Sequence, residues 1–281
     1  DRRDAMRKIA SVLSAAVLTL TLCACSSGSS TSSITVAGST TCLPIAEIAA
    51  EGFKEETGTD VLVSGLGSSA GIEAVSSGTA DIASSSRGLN ADEQNLGLTP
   101  IVIAHDGIAV IVNDDNPVDN LSTEQLRDIY AGKITNWKQV GGEDRAIRIY
   151  AQDENSGLQT AFERQIMQGQ PIRLPELEWV YERPGVVRQE IAAFDAEADA
   201  LGFSSLQMVT QVNPQPEIKL VRIAGILPNA KTIENGKYPL RLPVLLASNT
   251  ASDATIAGIT DWLLSQRGQQ WLSEHGLVPV Q

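Results

Sequence analysis

The sequence has few of the side chains that carry catalysis or hold metal ions. Its 281 residues include only two histidines, His105 and His275, and three cysteines. A serine nucleophile needs a base within hydrogen-bond reach, and only these two histidines could serve as an imidazole base. Metal sites need clustered His, Cys or carboxylate ligands at regular spacing, which this sequence does not offer. These absences favour a binding protein without a cofactor or a metal over an enzyme.

Positive charge is also scarce. The chain has 21 lysines and arginines against 34 acidic residues, a formal net charge of −13. Residues 1–24 carry four basic and two acidic side chains, a net of +2, so the remainder carries −15. Such acidity argues against nucleic acid and anionic membrane surfaces as partners. It does not exclude a small anion, because the nearest dipoles and hydroxyls set the field of a site.

The N-terminal segment has the composition of an export signal. Basic residues 6–8 precede an apolar run at residues 9–22, which is too short for a comfortable membrane span. The Leu-Cys-Ala-Cys order that ends at Cys25 resembles a bacterial lipobox. We therefore expect a signal peptide over residues 1–24, lipidation of Cys25 and a flexible tether over residues 25–33. Simple secretion with cleavage nearby is the alternative.

Strand and helix patterns alternate after this tether. Short apolar strands are predicted at residues 34–37, 60–64 and 81–83, and a helix at residues 44–56 between the first two. This βαβαβ order predicts the α/β class with a mostly parallel sheet. Ligands of such sheets bind beyond the carboxyl ends of the strands.

Polar residues follow each of these three strands. The segments are Ser39–Thr41, Gly67–Ser69 and Ser84–Arg87. Glycine and serine at the start of a helix expose backbone N–H groups and small hydroxyls, which suit an anion. A capped helix in an ordinary α/β domain is the alternative for the stretch Gly65–Leu89.

Two further stretches bear on the organisation of the chain. The apolar run at residues 101–112 is interrupted by His-Asp-Gly, so it is either two buried strands or one kinked crossing strand. Asp106 within it is either a satisfied core carboxylate or a site residue. A second polar loop, residues 152–157, leads into a helix predicted over residues 158–167. Further helices are predicted at residues 186–194 and 255–272, the latter with a soft break at Gly268.

Several motifs together resemble a known family. They are Ala37–Thr41, Gly67–Gly71, Gly78–Arg87, the Tyr-x-Gly-Lys-Ile-x-x-Trp run at 130–137, Glu154–Gly157 and Gly268–Gln270. In this order they resemble the phosphate-binding lipoproteins that serve bacterial phosphate ABC importers. The resemblance covers residues 34–281.

The resemblance implies a type II periplasmic-binding-protein fold with two lobes joined by two crossing strands. Lobe 1 would comprise residues 34–107 and 240–281, and lobe 2 residues 108–239. Phosphate would bind in the cleft between them, and the protein would deliver it as a monomer to a membrane permease from the extracytoplasmic or periplasmic face of the cell envelope. The implied ligand-binding residues are Ser39, Thr40, Thr41 and Ser68 from the first lobe, and Ser156, Gly157 and the backbone N–H of Leu158 from the second.

Three positions depart from the family pattern. Gln152 stands where the family usually has an arginine that pairs with phosphate, and Leu158 stands where a threonine is usual. Ser86 stands where the best-known members have an acid, although a Ser-Arg variant is also familiar. Either Arg87 compensates for the missing arginine from the first lobe, or phosphate binds more weakly, or the ligand is different. Asp106 would then be the acceptor for the proton of a protonated phosphate. Another oxyanion, or a sensory or scavenging role without a transporter, is the alternative function.

Overall fold

A computed structural model gives the structure of the chain. The described residues are 33–152, 156–173, 180–181, 199–212, 214–249 and 254–280. The predicted signal peptide, Cys25 and most of the tether lie outside these ranges, as does the helix expected at residues 186–194. The described residues fall into one unit that spans positions 33–281.

The first lobe is built on parallel strands with helices between them. Strand β1 pairs with β2 on one side and with β3 on the other, both in parallel. The elements are β1 (Ile34–Gly38), α1 (Leu43–Thr57), β2 (Val61–Gly65), α2 (Ser68–Ser76) and β3 (Ile82–Ser85). A 3₁₀ turn, Glu93–Leu96, follows β3. The predicted βαβαβ order and the α/β class are confirmed.

One long strand connects the two lobes. Strand β4 (Thr99–Asn113) is a single strand of 15 residues, which settles the open alternative for this run. Its first half pairs with β12 (Arg241–Ser248), and its second half pairs with β9 (Ala200–Ser205). The register of the β12 pair shifts between Val244 and Leu245, and such a bulge bends the strand. The kinked crossing strand is therefore the correct interpretation, and Asp106 lies near its middle.

The second lobe continues the same sheet with shorter elements. The strand order is β2-β1-β3-β12-β4-β9-β6, with β10 also paired to β4. The strands are β5 (Asn120–Leu121), β6 (Arg148–Ile149), β7 (Ala151–Gln152), β8 (Val180–Tyr181), β10 (Ile218–Leu220) and β11 (Arg222–Ile223). The helical elements are α3 (Thr123–Tyr130), a 3₁₀ turn Trp137–Val140, α4 (Gly157–Phe162), π-helical segments Glu163–Met167 and Met208–Val212, and α5 (Ala230–Glu234).

Each lobe has its own hydrophobic core. The core of the second lobe contains Tyr130, Phe162 and Phe203, and the last two rings stack with centroids 4.1 Å apart. In the first lobe, α1 and the C-terminal helices pack against one face of the sheet. Helix α2 packs in a separate cluster against other residues of the same strands. The exact boundaries at 107/108 and 239/240 stay a prediction, since the described residues form one unit.

The C-terminal helical region differs from its prediction. Two helices are present, α6 (Ala254–Leu264) and α7 (Gln266–Glu274), and the break falls at Ser265 rather than at Gly268. The hydroxyl of Ser265 accepts a hydrogen bond from the Gly268 N–H at 3.2 Å and so caps the second helix. Among the described residues, no helix combines the length and the apolar character needed to cross a membrane.

Candidate functional site

The three polar loops of the first lobe meet at one edge of the sheet. Gly38 at the end of β1 pairs in register with Gly65 of β2 and with Ser84 of β3, so the three strands end nearly level. The backbone N–H groups of Leu66 and Gly67 both donate to the Gly38 carbonyl at 2.8 Å. The predicted convergence of the loops in this lobe is confirmed.

The glycine at position 71 allows α2 to begin directly against the end of β1. A Cβ placed on Gly71 would lie 2.4 Å from Gly38 Cα and 2.5 Å from the Ala37 carbonyl oxygen. Any larger residue would push the helix away from the strand, because real Cβ atoms do not approach backbone so closely. The glycine therefore holds the N-terminus of α2, with Ser68 as its first residue, at the edge where the loops meet.

Hydroxyls of the first and third loops face one another. Ser39 Oγ lies 3.0 Å from Ser86 Oγ, and it also accepts from the Cys42 N–H at 3.2 Å. Thr40 is half-buried, whereas Thr41 is buried and its Oγ1 has no hydrogen-bond partner within the protein. Ser39 thus fastens the start of α1 to the end of β3, and Thr41 is left with a hydroxyl that a ligand can use.

The second lobe reaches this edge at Gly157. A Cβ on Gly157 would lie 2.2 Å from Ser68 Oγ and 2.3 Å from Ser86 Oγ. Gly157 is the first residue of α4, and Ser156 is its N-cap. The side chain of Leu158 is buried in the core of the second lobe, so only its backbone can serve the cleft. The structure therefore brings Ser68, Ser86 and Gly157 together from different lobes.

Where the two lobes meet, the buried hydroxyl of Ser68 is the group that most clearly indicates a ligand site. Ser68 has no measurable exposure, and its Oγ has no hydrogen-bond partner within the protein. A buried polar group without a partner costs about 1–3 kcal/mol. Such a cost at a junction of two lobes is typical of a group that is arranged for a ligand.

Gln152 occupies the position where an arginine was expected by resemblance. It is 2% exposed, its N–H donates to Gln159 Oε1 at 3.0 Å, and its Nε2 donates to the Phe203 carbonyl at 3.1 Å. Its Oε1 has no partner within the protein. Gln159 in turn donates its N–H to Ser156 Oγ at 3.4 Å, which ties Gln152 to the start of α4. This amide offers an acceptor where an arginine would offer charge.

Asp106 is buried at the crossing between the lobes. Its Oδ1 accepts from the N–H groups of Gly107 at 2.7 Å and Gln207 at 3.2 Å, and its Oδ2 has no partner within the protein. Burial raises the pKa of Asp106 to about 6, although the hydrogen bonds from Gly107, Ser205 and Gln207 act to lower it. Burial also raises the pKa of the Cys42 thiol to about 12, and the charge of Asp106 adds to this rise. Asp106 therefore lies close to the start of α1.

The raised pKa of Asp106 predicts a pH-dependent stability cost. Between about pH 4 and pH 6 the folded state binds more protons at this group than the unfolded state, so its contribution to stability falls as the pH rises. We expect Asp106→Asn to be more stable than the unchanged protein at pH 8, by about 3 kcal/mol, and about equally stable near pH 3. Urea unfolding at both pH values measures this. Exposed Asp92→Asn is the control, and an Asp106→Asn variant that is less stable at pH 8 would contradict the prediction.

Arg87 does not face the cleft as a free cation. Its Nη1 and Nη2 each lie 2.7 Å from an oxygen of Glu93, which makes a two-point ion pair, and both side chains are buried. Nη2 also donates to Ser69 Oγ at 2.8 Å. Burial would raise the pKa of Glu93, but the hydrogen bonds from Arg87 and the Asn90 N–H outweigh it and lower the pKa. The expectation that Arg87 replaces the missing arginine at Gln152 gains no support from this pairing; Arg87 instead braces the first turn of α2.

The end of β9 and the turn after it bring further polar residues to Asp106, and sequence reasoning missed them. Ser204 is buried and its Oγ has no partner, while Ser205 and Gln207 contact Asp106. One signal could have identified them, because they are polar residues at the end of a buried strand, like the three loops of the first lobe. Within the described ranges, no group of three or more His, Cys, Asp or Glu residues could hold a metal ion.

Comparisons with known proteins agree with this arrangement. The sequence matches the PBP superfamily domain over residues 26–267. The phosphate-binding protein PstS of Bacillus subtilis (strain 168) is 29% identical over 256 residues, which cover 88% of this chain and 81% of that protein.

Two solved structures are similar over nearly their whole length. A substrate-binding protein assigned to a phosphate ABC transporter of Clostridium perfringens, solved with bound phosphate, has a TM-score of 0.80 at 29% identity and covers 89% of this chain and 100% of that one. An ABC-type phosphate transport receptor from Vibrio cholerae has a TM-score of 0.74 at 31% identity, over 87% and 99% of the two chains. The expected two-lobed binding-protein fold is confirmed, and the chain belongs to the PBP superfamily.

Proposed function

We propose that this protein is an extracytoplasmic solute-binding protein that captures inorganic phosphate between its two lobes and delivers it to an ABC importer. The relatives described above carry phosphate binding or phosphate transport in their names, and one was solved with phosphate. The closely matched fold and the polar junction between the lobes support the same activity in this chain.

The observation that carries the proposal is the meeting of Gly157 with Ser68 and Ser86. Loops from both lobes converge there on buried hydroxyls, and the hydroxyl of Ser68 has no partner within the protein. The buried hydroxyl of Thr41, in the first loop, has none either. An anion bound at this point would touch both lobes at once, so binding would favour the closed arrangement over an open one.

The donors that would hold phosphate are neutral. Hydroxyls of Thr41 and Ser68 would act together with N–H groups at the starts of α1, α2 and α4, where the first turn of a helix leaves donors free. Each hydrogen bond to a charged ligand contributes about 1.5–3 kcal/mol. Several such bonds support sub-micromolar affinity after the costs of binding. The free oxygen of Asp106 would accept a hydrogen bond from a protonated oxygen of phosphate and repel sulfate, which has no proton to donate.

The direct test is titration of the purified protein with phosphate and with sulfate. Intrinsic tryptophan fluorescence or heat would report binding. Tight binding of phosphate and weak binding of sulfate is the expected result. No binding at millimolar phosphate would overturn the proposal. Tight binding of another oxyanion would favour the alternative function, which is suggested by a glutamine at position 152 in place of an arginine.

Removing the Ser68 hydroxyl is expected to weaken phosphate binding about tenfold. Ser68→Ala deletes one donor to a charged ligand, worth about 1.5 kcal/mol. The hydroxyl has no partner within the protein, so the melting temperature without phosphate should not fall. Ser77→Ala at the exposed C-terminal end of the same helix is the matched control and should bind normally. Equal affinity of the two variants would remove Ser68 from the site.

Anchoring through a lipid on Cys25 is part of the proposal. The stretch that matches the superfamily begins at residue 26, directly after this cysteine, which is consistent with a mature chain that starts at Cys25. The mass of the protein purified from membranes tests this: a diacylglyceryl-modified Cys25 is expected, and an unmodified secreted chain would refute it.

We assign no reaction to the cleft. The family consists of binding proteins, and the paired acceptors and donors described above need no chemical step. Turnover of a phosphoester by purified protein, lost in Ser68→Ala or Asp106→Asn, would contradict this assignment. The protein would act as a monomer that docks on its permease, which size-exclusion chromatography with and without the permease can examine.

A further inference from the structure

Two buried oxygen acceptors lie beside the same short segment of the second lobe. Gln152 bonds to the Phe203 carbonyl at one end of this segment, and Asp106 bonds to Ser205 and Gln207 at its other end. Both side chains are 2% exposed, and Gln152 Oε1 and Asp106 Oδ2 have no partner within the protein. Each of these two oxygens can accept a hydrogen bond but cannot donate one while Asp106 is ionised.

The orientation of the Gln152 amide follows from its neighbour. Its nitrogen is the atom that can donate to the Phe203 carbonyl, and the reversed amide would place two oxygens 3.1 Å apart. The other end of the amide is therefore an oxygen. A buried acceptor of this kind needs a donor, and a fully ionised oxyanion has none to offer.

Among the residues that the structure describes, no cation shifts the pKa of Asp106. From α1 it faces the Cys42 thiol, which is neutral because its pKa is raised to about 12, and from β9 and the following turn it faces Ser205 and Gln207. On β12 its register partner is Leu242. Side chains alternate along a strand, so His105, Gly107 and Arg241, which pairs with Gly107, belong to the opposite face.

The remaining cation of these loops is already neutralised. Both terminal nitrogens of Arg87 donate to the Glu93 carboxylate, as described above, so the pair brings no net charge to the cleft. Within the described residues of these loops, a second negative charge on the ligand would then meet neutral donors and the carboxylate of Asp106. The described residues thus offer more acceptors than an unprotonated anion could satisfy, and no net positive charge to balance a second negative charge. Both features favour a ligand with few charges and more than one proton.

We propose that the cleft binds phosphate as the singly charged, doubly protonated ion, with one ligand hydroxyl donating to Asp106 Oδ2 and the other to Gln152 Oε1. This inference rests on the proposed function and specifies the bound species. Dibasic phosphate from neutral or alkaline solution must take one proton from the buffer as it binds. Arsenate, which carries protons in the same way, is a competing ligand, whereas sulfate is not.

Calorimetry at pH 8 in buffers of different ionisation enthalpy tests the proposal. Free phosphate is then mostly dibasic and Asp106 is ionised before binding, so any proton counted is taken up as the complex forms. We expect uptake of about one proton per phosphate bound, and an apparent affinity that falls about tenfold per pH unit above neutrality. Binding without proton uptake would overturn this inference and leave the proposed function standing. No binding would overturn both.

Two variants identify the groups responsible. Gln152→Arg replaces an acceptor by a cation, so it should bind dibasic phosphate, abolish the proton uptake at pH 8 and raise affinity there about tenfold or more. Gln152→Met keeps the size without the acceptor and should weaken binding while it lowers the uptake. Gln270→Arg, on the exposed face of α7, is the matched control and should change neither. Unchanged uptake in Gln152→Arg would remove Gln152 from the assigned role.

Discussion

Gly157→Ala is expected to lower phosphate affinity about 100-fold. The added Cβ would lie 2.2 Å from Ser68 Oγ and 2.3 Å from Ser86 Oγ, so the lobes could not close to their present separation without displacing both hydroxyls. Overpacking of this kind costs up to about 3 kcal/mol. The position is the first residue of a helix, where alanine is readily accommodated by the backbone, so the cost falls on closure and not on the fold. Titration calorimetry with phosphate measures the effect.

A second glycine in a helix provides the control. The Cβ of Gly258→Ala would meet only Phe53 at an ordinary contact distance of 3.9 Å. This variant should bind phosphate normally, and its melting temperature should be equal or higher because alanine favours a helix. The cleft assignment would be wrong if Gly157→Ala bound phosphate as tightly as Gly258→Ala does.

Arg87→Ala is expected to reduce the free energy of unfolding by about 3–5 kcal/mol. The substitution leaves the Glu93 carboxylate buried without the two-point ion pair that now compensates it, and such losses fall in this range. It also removes the bond to Ser69, so the first turn of α2 should loosen and phosphate affinity should fall as well. Urea unfolding at neutral pH gives the stability change.

A double variant distinguishes loss of the ion pair itself from the effect of leaving one buried charge without its partner. Arg87→Met combined with Glu93→Leu removes both charges and should recover most of the lost stability, since an apolar pair of similar size is often as stable as a buried ion pair. Because the pKa of Glu93 is lowered in the folded state, its stabilisation is present at neutral pH and is lost as the pH falls through its folded pKa. Lys133→Met at an exposed pair with Asp128 should change little. A small loss in Arg87→Ala would contradict the assigned role.

Much of the candidate site could be predicted because its parts are local in sequence. Gly38, Gly65 and Ser84 lie at the ends of neighbouring parallel strands. The polar residues that follow such strands therefore lie together at the carboxyl end of the sheet. The helix starts at Ser68 and Gly157 follow from equally short patterns of Gly and Ser. Ser265 shows the limit of such patterns, because both Ser265 and Gly268 can end a helix and only the observed hydrogen bond decides between them.

The charges of the site could not be predicted in the same way. Arg87 has the same sequence environment whether it points into the cleft or toward Glu93, and the difference lies in a few side-chain torsions. Gln152 could be identified as a departure from the family pattern, but its free oxygen depends on the carbonyl of Phe203, 51 residues further along the chain. Partners this distant in sequence become neighbours only when the sheet forms.

By itself, the sequence determined the α/β class, the strand-end loops and the hydroxyls that line them, because each follows from patterns of a few adjacent residues. The tertiary structure alone decided how these groups are used. It placed Gly157 against Ser68 and Ser86, paired Arg87 with Glu93, and left oxygens of Asp106 and Gln152 without partners. The physical reason is that hydrogen bonding and charge compensation depend on distances of a few ångströms between side chains that only the folded chain brings together, which no local pattern encodes.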